Sequence, residues 1–186
     1  DVGGIRVSTY NAVTVDNGRP LIFNTAEGHK GKTREASYPS LFDEMGIPYT
    51  GSDAYAHALA LDKSLTKRVL ASYAVPTPRA RLIRRASLES GALDDVVFPV
   101  IVKPNFEGSS KGISSAWSVC EDAHELAEVI DRLLPRFEAG LLIERYLRGF
   151  DVGCSYVEGL GEDGILEPVE YRIDPSVAGP YNVYDY

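Results

Sequence analysis

Lys103 stands at the end of the apolar run VVFPVIV, residues 96–102. An ammonium group buried without a partner is costly, so this position favours a bound anion. The following residues, 105–112, read NFEGSSKG and supply small side chains and backbone N–H groups suited to cradling a phosphate. The loop lies between two predicted strands, whereas a Walker A loop opens a helix. The pattern therefore indicates a phosphate site, with a plain hairpin and a solvent-reaching lysine as the alternative.

Lys63 is a second candidate for an anion site. It follows Asp62 at the start of a predicted helix. A cation is slightly unfavourable there, because the positive end of the helix macrodipole lies at the amino terminus. This mild misfit is a weak indication of an anionic ligand, and a solvated lysine in the first helical turn is the alternative.

The third candidate is the segment IERYL at residues 143–147. Backbone groups at the end of a strand can bind the edge of an adenine, and the Glu144 carboxylate can accept a hydrogen bond from its exocyclic amine. Asp151 is then placed to accept from ribose hydroxyls. Each acidic residue alone is more often a solvated edge position, so the ordered series from Lys63 to Asp151 carries the prediction.

These residues need strands and helices to position them. Alternation and turn residues predict strands, and helical spacing with capping residues predicts helices, with Pro39 confining the first helix to its second half. The predicted strands cover residues 5–10, 21–24, 81–84, 96–103, 113–119, 141–147, 151–158 and 165–173. The predicted helices cover residues 34–45, 53–61 and 121–134, with one more from Asp62 to before Pro76.

Composition excludes several classes of protein. The chain has 186 residues, a formal net charge of −8 and 44% hydrophobic residues, which is ordinary for a soluble globular protein and unsuited to wrapping nucleic acid. It has no apolar run long enough to span a bilayer and no signal peptide, which predicts a cytoplasmic protein with no membrane partner. Two cysteines are too few for a disulfide scaffold or a zinc site, and we expect both to be half-buried thiols. The missing initiator Met suggests a piece of a longer polypeptide.

Several motifs, in order and in register, resemble those of the D-alanine–D-alanine ligase family of the ATP-grasp superfamily. They are GIPYTGS at 46–52, LDK at 61–63, VPTP at 75–78, VKP at 102–104, EGSSKGI at 107–113, LIERYL at 142–147 and YDY at 184–186. The resemblance covers residues 21–186. It implies an ATP-dependent ligase that joins two amino acids, D-alanine by default, through an acyl phosphate, using ATP and Mg²⁺ in cell-wall precursor synthesis.

The resemblance also implies roles for particular residues. Lys63 and Lys103 are similar to lysines that contact ATP phosphates. Residues 107–112 are similar to a flap over the triphosphate, in which Ser109 helps to hold the closed active site. The remaining ATP-contacting positions are Glu107, Gly108, Ser110, Glu144, Arg145, Tyr146, Leu147 and Asp151. Tyr184 and Tyr186 are similar to the start of an omega loop that closes on the substrates, which makes Tyr186 a catalytic candidate.

The implied fold is α/β, a partial ATP-grasp fold. It would comprise the remnant of a Rossmann-like domain at 1–62, a small mixed lobe at 63–147 and the start of an antiparallel lobe at 148–186. Family metal ligands lie beyond Tyr186, so we expect no metal ligand in this chain and no activity from the chain alone. A homodimer is the implied assembly.

One departure from the family leaves the substrate open. The family usually has His-Gly and Gly-Glu-Asp-Gly where this chain reads FNTAEG at 23–28 and Arg34-Glu35. A ligase of the same family for other amino acids is therefore one alternative. A non-catalytic ATP-grasp remnant is a second alternative, and an ATP-grasp ligase of another branch, such as a carboxylase subunit, is a third.

Overall fold

A computed structural model describes residues 13–15, 19–85, 93–173 and 180–183. The chain divides into two compact units, Asp1–Val69 and Leu70–Tyr186. The strand predicted at 5–10 lies outside the described residues.

The first unit opens with a short antiparallel pair of strands, β1 (Val13–Val15) and β2 (Arg19–Leu21). The strand predicted at 21–24 ends early: Ile22 forms only an isolated parallel bridge with Tyr49. Backbone hydrogen bonds from Ile22 N–H to Pro48 (2.9 Å) and from Thr50 N–H to Ile22 (2.9 Å) make that bridge. It ties the amino-terminal strand to the loop after the first helix.

The first helix, α1 (Ser37–Glu44), follows a 3-10 turn at Arg34–Ala36. The prediction that Pro39 confines the helix to its second half is wrong. Pro39 lies in the first turn, where its missing N–H would have had no intrahelical partner in any case. The helix ends as predicted at Gly46, which has φ +62°. Ile47 N–H donates to Phe42 (2.9 Å) and Gly46 N–H to Asp43 (3.1 Å), which is the Schellman arrangement.

Two capped helices come next, α2 (Ala54–Leu61) and α3 (Lys63–Ser72). The Asp53 carboxylate accepts from Ala56 N–H at 2.7 Å, and the Asp62 carboxylate accepts from Leu65 N–H at 3.0 Å. Each cap satisfies a backbone donor that the helix leaves unpaired. The predicted starts of both helices are confirmed.

The second unit contains a four-stranded antiparallel sheet. Its strands are β3 (Ala80–Ile83), β4 (Val100–Pro104), β5 (Val119–Cys120) and β6 (Leu141–Arg145), in the order β3-β6-β4-β5. The predicted strands at 81–84, 96–103 and 141–147 are confirmed in place, although the last two are shorter than predicted.

The strand predicted at 113–119 is wrong except at its end, where β5 begins at Val119. Ile113 N–H donates to Ser110 (2.9 Å) and Ser118 N–H to Ser114 (3.0 Å). The Ser118 hydroxyl accepts from Ser114 N–H at 2.8 Å. These local bonds take up donors that a strand would give to its neighbour, so the segment forms turns.

One face of this sheet forms the core with helix α4 (Ala123–Leu133). The strand residues Val100, Val102, Leu141 and Ile143 cluster there with the helix residues Leu126, Val129, Ile130 and Leu133. Burying each such side chain contributes about 1.5–3 kcal/mol. Asp122 caps the helix by accepting from His124 and Glu125 N–H groups, both at 2.9 Å. The helix predicted at 121–134 is confirmed.

The last described strands, β7 (Asp151–Gly153) and β8 (Val169–Tyr171), pair antiparallel, as predicted, but are much shorter than 151–158 and 165–173. The chain between them turns back through a hydrogen bond from Val157 N–H to Gly164 (2.8 Å). Asp151 lies opposite Tyr171 in this ribbon. The ribbon therefore presents Asp151 and the residues around Tyr171 at one end.

Candidate functional site

The sheet face opposite α4 borders a cavity of about 1020 Å³. Alternation decides which residues reach this face: Val100 and Val102 belong to the core, so Ile101 and Lys103 point the other way. Glu144 lies directly opposite Ile101 in the antiparallel pair β4–β6 and shares its face. The described residues that line the cavity all belong to the second unit.

Lys103 and Glu144 form an ion pair on this face, between Nζ and Oε1. Lys103 lies opposite Leu142, two residues before Glu144, so the two side chains are diagonal neighbours across the strands. Their side chains are 23% and 9% exposed, so Glu144 is nearly withdrawn from water. An anionic partner for Lys103 is thus supplied by the protein itself, and the ion pair orients the lysine at the cavity wall.

The flap residues 107–112 form a tight loop beside this pair. Ser109 and Ser110 have positive φ values of 49° and 56°, and Lys111 N–H donates to Gly108 at 3.0 Å. Gly112 (φ +78°) closes the loop where a Cβ atom would lie 2.7 Å from the Pro104 ring, so only glycine fits without a shift. Ser110 lines the cavity, whereas Glu107, Gly108 and Ser109 do not belong to its wall.

A hinge segment, residues 145–149, follows β6 along the cavity. Tyr146 N–H donates to the Pro99 carbonyl at 2.9 Å, which holds the segment to the start of β4. Arg145, Tyr146 and Leu147 all line the cavity. The predicted adenine-binding segment therefore lies next to the Lys103–Glu144 pair.

Residues 180–183 pack on this hinge. The Tyr181 ring meets the Tyr146 ring edge-to-face at 5.3 Å, and the Asn182 amide donates to the Gly149 carbonyl at 3.2 Å. The Tyr181 hydroxyl donates to the Glu121 carboxylate, and this hydrogen bond raises the pKa of Tyr181. Asn182 and Val183 line the cavity.

The ribbon β7–β8 contributes the remaining wall through Asp151, Tyr171 and Arg172. Among the lining residues of the described structure, four carry a positive charge and two a negative charge, an excess of two cations. The cations are Lys103, Arg145, Arg148 and Arg172, and the carboxylates are Glu144 and Asp151. In a chain of net charge −8, this local excess favours an anionic ligand.

The structure thus brings seven of the predicted ATP-contacting residues to one cavity. They are Lys103, Ser110, Glu144, Arg145, Tyr146, Leu147 and Asp151. Lys63 begins α3 in the other unit, so its role stays a prediction. Tyr184 and Tyr186 lie outside the described residues.

Sequence reasoning missed other cavity residues, notably Arg148, Phe150, Arg172 and Asn182. The excess of cations within 145–148 was a signal for Arg148. Arg172 carried none, because its strand reads as an ordinary half-exposed one.

In the described ranges no group of three or more His, Cys, Asp or Glu residues is arranged to hold a metal ion. No helix in the described part of the chain has the length and apolar character needed to cross a bilayer.

The fold defines the class of protein. The D-alanine–D-alanine ligase of Bacillus anthracis complexed with ATP superposes on 83% of this chain with a TM-score of 0.66 at 22% identity, which covers 48% of that structure. The α/β chain with its antiparallel sheet therefore has part of the ATP-grasp fold, as expected.

The sequence of the second unit defines the family. The sequence model described as "D-ala D-ala ligase C-terminus" matches residues 70–186. The chain belongs to this family.

Two relatives show the extent of the match. The uncharacterized protein y4sG of Sinorhizobium fredii is 30% identical over 82% of this chain and 43% of its own length. The D-alanine–D-alanine ligase of Polaromonas naphthalenivorans is 40% identical over 76% of this chain and 42% of its own length. The chain thus spans less than half the length of these relatives.

Proposed function

We propose that this chain is the nucleotide-binding part of a cytoplasmic ATP-dependent carboxylate–amine ligase. The ligase forms a dipeptide through an acyl phosphate, with D-alanyl-D-alanine as the default product for cell-wall precursors. The single observation that supports this most is the cavity, where Lys103, Ser110 and Glu144 occur together with the hinge and Asp151. In this proposal residues 63–147 form the small lobe and residues 148–186 begin the larger one.

The cavity suits a nucleotide in size and chemistry. Small-molecule sites measure roughly 300–1,000 Å³ and combine apolar walls with a few placed polar groups. Ile101, Leu147 and Val183 supply apolar surface for a base, and the excess cations suit phosphates. When ATP is bound, it supplies the phosphoryl group that activates a carboxylate. The chain's own residues place the nucleotide and neutralise its charge.

Each predicted contact has a separate task. Lys103, held by Glu144, would offer its ammonium to a phosphate oxygen, and Ser110 its hydroxyl and backbone N–H. Glu144 and the hinge backbone would bind the adenine edge, and Asp151 the ribose. Lys63, Glu107, Gly108, Ser109 and Tyr186 are included through the family resemblance alone.

Mg²⁺ and a homodimer belong to the proposal on the same basis. The carboxylates on the described cavity wall are Glu144, which is paired with Lys103, and Asp151. They do not form the oxygen-rich ligand set that Mg²⁺ requires. We therefore assign no step to Mg²⁺.

A ligase for other amino acids is the second candidate. Arg34 and Glu35 stand where the family usually has Gly-Glu-Asp-Gly, and Arg34 is 8% exposed and pairs with Glu35 at 3.4 Å. The loop is fixed by a hydrogen bond from Gly28 N–H to the Arg34 carbonyl at 3.2 Å. A buried guanidinium in place of an acidic loop favours a first substrate other than D-alanine.

Calorimetric titration of the chain with adenosine and ATP tests nucleotide binding. Lys103→Met should weaken ATP binding about tenfold or more, and by a larger factor than it weakens adenosine binding, because a charge-assisted hydrogen bond to phosphate is lost. Lys30→Met, which removes an exposed lysine in the first unit, is the matched control. A folded wild-type chain that binds no ATP would sink the proposal.

Removing Lys103 takes away the cation that pairs with the Glu144 carboxylate, so the melting temperature of the variant must be measured as well. Lys103→Met/Glu144→Gln removes both charges at once and should melt closer to the wild type than Lys103→Met does. Phosphate release by the full-length ligase with D-alanine, against other amino acids, then decides between the two substrate candidates.

A further inference from the structure

Arg172 is a cavity residue with no role so far. It directly follows β8, whose last residue, Tyr171, lies opposite Asp151. Facing residues of an antiparallel pair have Cα atoms about 4.5–5.5 Å apart. Arg172 is therefore the sequence neighbour of the residue that faces Asp151, the position proposed to bind ribose. The other three cations of the wall come from β4, β6 and the hinge. Arg172 is the cation that the ribbon contributes.

Arg172 pairs with Glu170, which lies in β8. Arg172 Nε donates to Oε1 of Glu170 at 3.1 Å, and Nη2 donates to Oε2 at 3.4 Å. The Arg172 side chain is 83% exposed and that of Glu170 is 36% exposed. A pair so open to water is weak, because solvent screens it and both side chains lose conformational freedom. Glu170 does not line the cavity.

The guanidinium group of Arg172 suits a phosphate better than a carboxylate of this kind. Its planar fork donates two parallel hydrogen bonds to phosphate oxygens, and phosphate carries more negative charge than the single carboxylate of Glu170. Lys103, by contrast, already shares its charge with the nearly buried Glu144. Arg172 therefore offers the phosphates a cation whose present partner is easily displaced.

We infer that Arg172 binds a phosphate of the nucleotide and that Glu170 holds its guanidinium group until the nucleotide arrives. The inference rests on the proposed nucleotide site and adds to it a residue and an exchange of partners. Glu170 competes with the phosphate, so its removal strengthens nucleotide binding, which no purely structural role of the pair would do.

Titration of the whole chain with adenosine, AMP, ADP and ATP tests this inference. Arg172→Ala should leave the affinity for adenosine unchanged. Along the series AMP, ADP and ATP, binding should weaken about three- to tenfold, beginning with the first nucleotide that carries the phosphate Arg172 contacts. Arg136→Ala removes an exposed arginine that does not line the cavity and should change none of the four affinities. Equal loss for adenosine and ATP, or no loss with any nucleotide, would overturn the role of Arg172.

Glu170→Gln provides the second arm. It keeps the size of the side chain and removes its charge, so the affinity for phosphate-bearing nucleotides should rise at least twofold, with adenosine unchanged. Unchanged or weaker binding would overturn the holding role of Glu170. A wild-type chain that binds no nucleotide would instead refute the proposed function. Because the pair is exposed, all these variants should melt within a few degrees of the wild type.

Discussion

Cys120 and Cys154 differ sharply in their surroundings, contrary to the expectation that both would be half-buried. Cys120 is fully buried in β5, and Cys154 is exposed. Burial, with a smaller contribution from Glu125 and Asp122, raises the pKa of the Cys120 thiol to about 12. Only the thiolate form of a cysteine attacks alkylating reagents. At pH 8 the thiolate fraction of Cys120 is on the order of one in ten thousand.

We therefore expect iodoacetamide at pH 8 to modify one thiol of the native chain rapidly and the second only after denaturant is added. Raising the pH to 10 should leave Cys120 protected, because its pKa lies still higher. The readout is the mass of the alkylated chain over time. Cys154→Ser should abolish the rapid phase, and rapid labelling of that variant would show that Cys120 is accessible.

For single residues, the sequence predicted which side chains line the cavity better than it predicted which side chains contact each other. Lys103 was expected beside a phosphate and Glu144 beside a base, and both do line the cavity. Their pairing depends on the register of β4 against β6, in which a shift of one residue would move Glu144 to the other face. Register across 40 residues of chain cannot be read from local patterns.

The carboxyl end of helix α3 is followed by a strained residue, Ala74, and replacing this alanine with glycine should relieve the strain. Val75 N–H donates to the Leu70 carbonyl at 3.0 Å and Ala74 N–H to that of Ala71 at 3.0 Å, the Schellman arrangement again. Ala74 occupies the left-handed position with φ 57°, where a Cβ atom costs about 1–2 kcal/mol and glycine fits freely. Ala74→Gly should raise the free energy of unfolding by about 0.5–1 kcal/mol.

Ala71→Gly is the matched control, because Ala71 lies in the same helix with helical backbone. The same chemical change should there lower the free energy of unfolding by about 0.5–1 kcal/mol. Urea unfolding followed by circular dichroism measures both midpoints. A lower midpoint for Ala74→Gly than for the wild type would show that this end of the helix does not hold the left-handed conformation.

Local signals predicted the elements unevenly. Helix α4 was predicted closely because six apolar residues recur at helical spacing, namely Ala123, Leu126, Val129, Ile130, Leu133 and Leu134. The stretch 113–118 was predicted to be a strand, yet its serine hydroxyls and carbonyls close turns within the segment. Side-chain competition for backbone donors is decided by geometry, which composition alone does not give.

The net charge of the whole molecule and the charge of its cavity have opposite signs, which bears on the choice of partner. The chain carries −8 overall, whereas the described cavity wall has two more cations than carboxylates. A mononucleotide needs only the few cations of such a cavity. A nucleic acid needs an extended basic face that neutralises many phosphates, and the wider field of this chain repels it.

We therefore expect the chain to bind ATP but not a fluorescently labelled 20-nucleotide DNA at 0.15 M salt, as measured by anisotropy. Nonspecific DNA-binding proteins have dissociation constants of roughly 10⁻⁴–10⁻⁶ M under such conditions, so titration to about 10⁻⁴ M protein decides the matter. Lowering the salt should not rescue binding, because weaker screening strengthens the repulsion between two negatively charged molecules. Binding that tightens as salt is lowered would show that the cationic wall extends into a basic surface, and the cavity would then be the entrance to a nucleic-acid site.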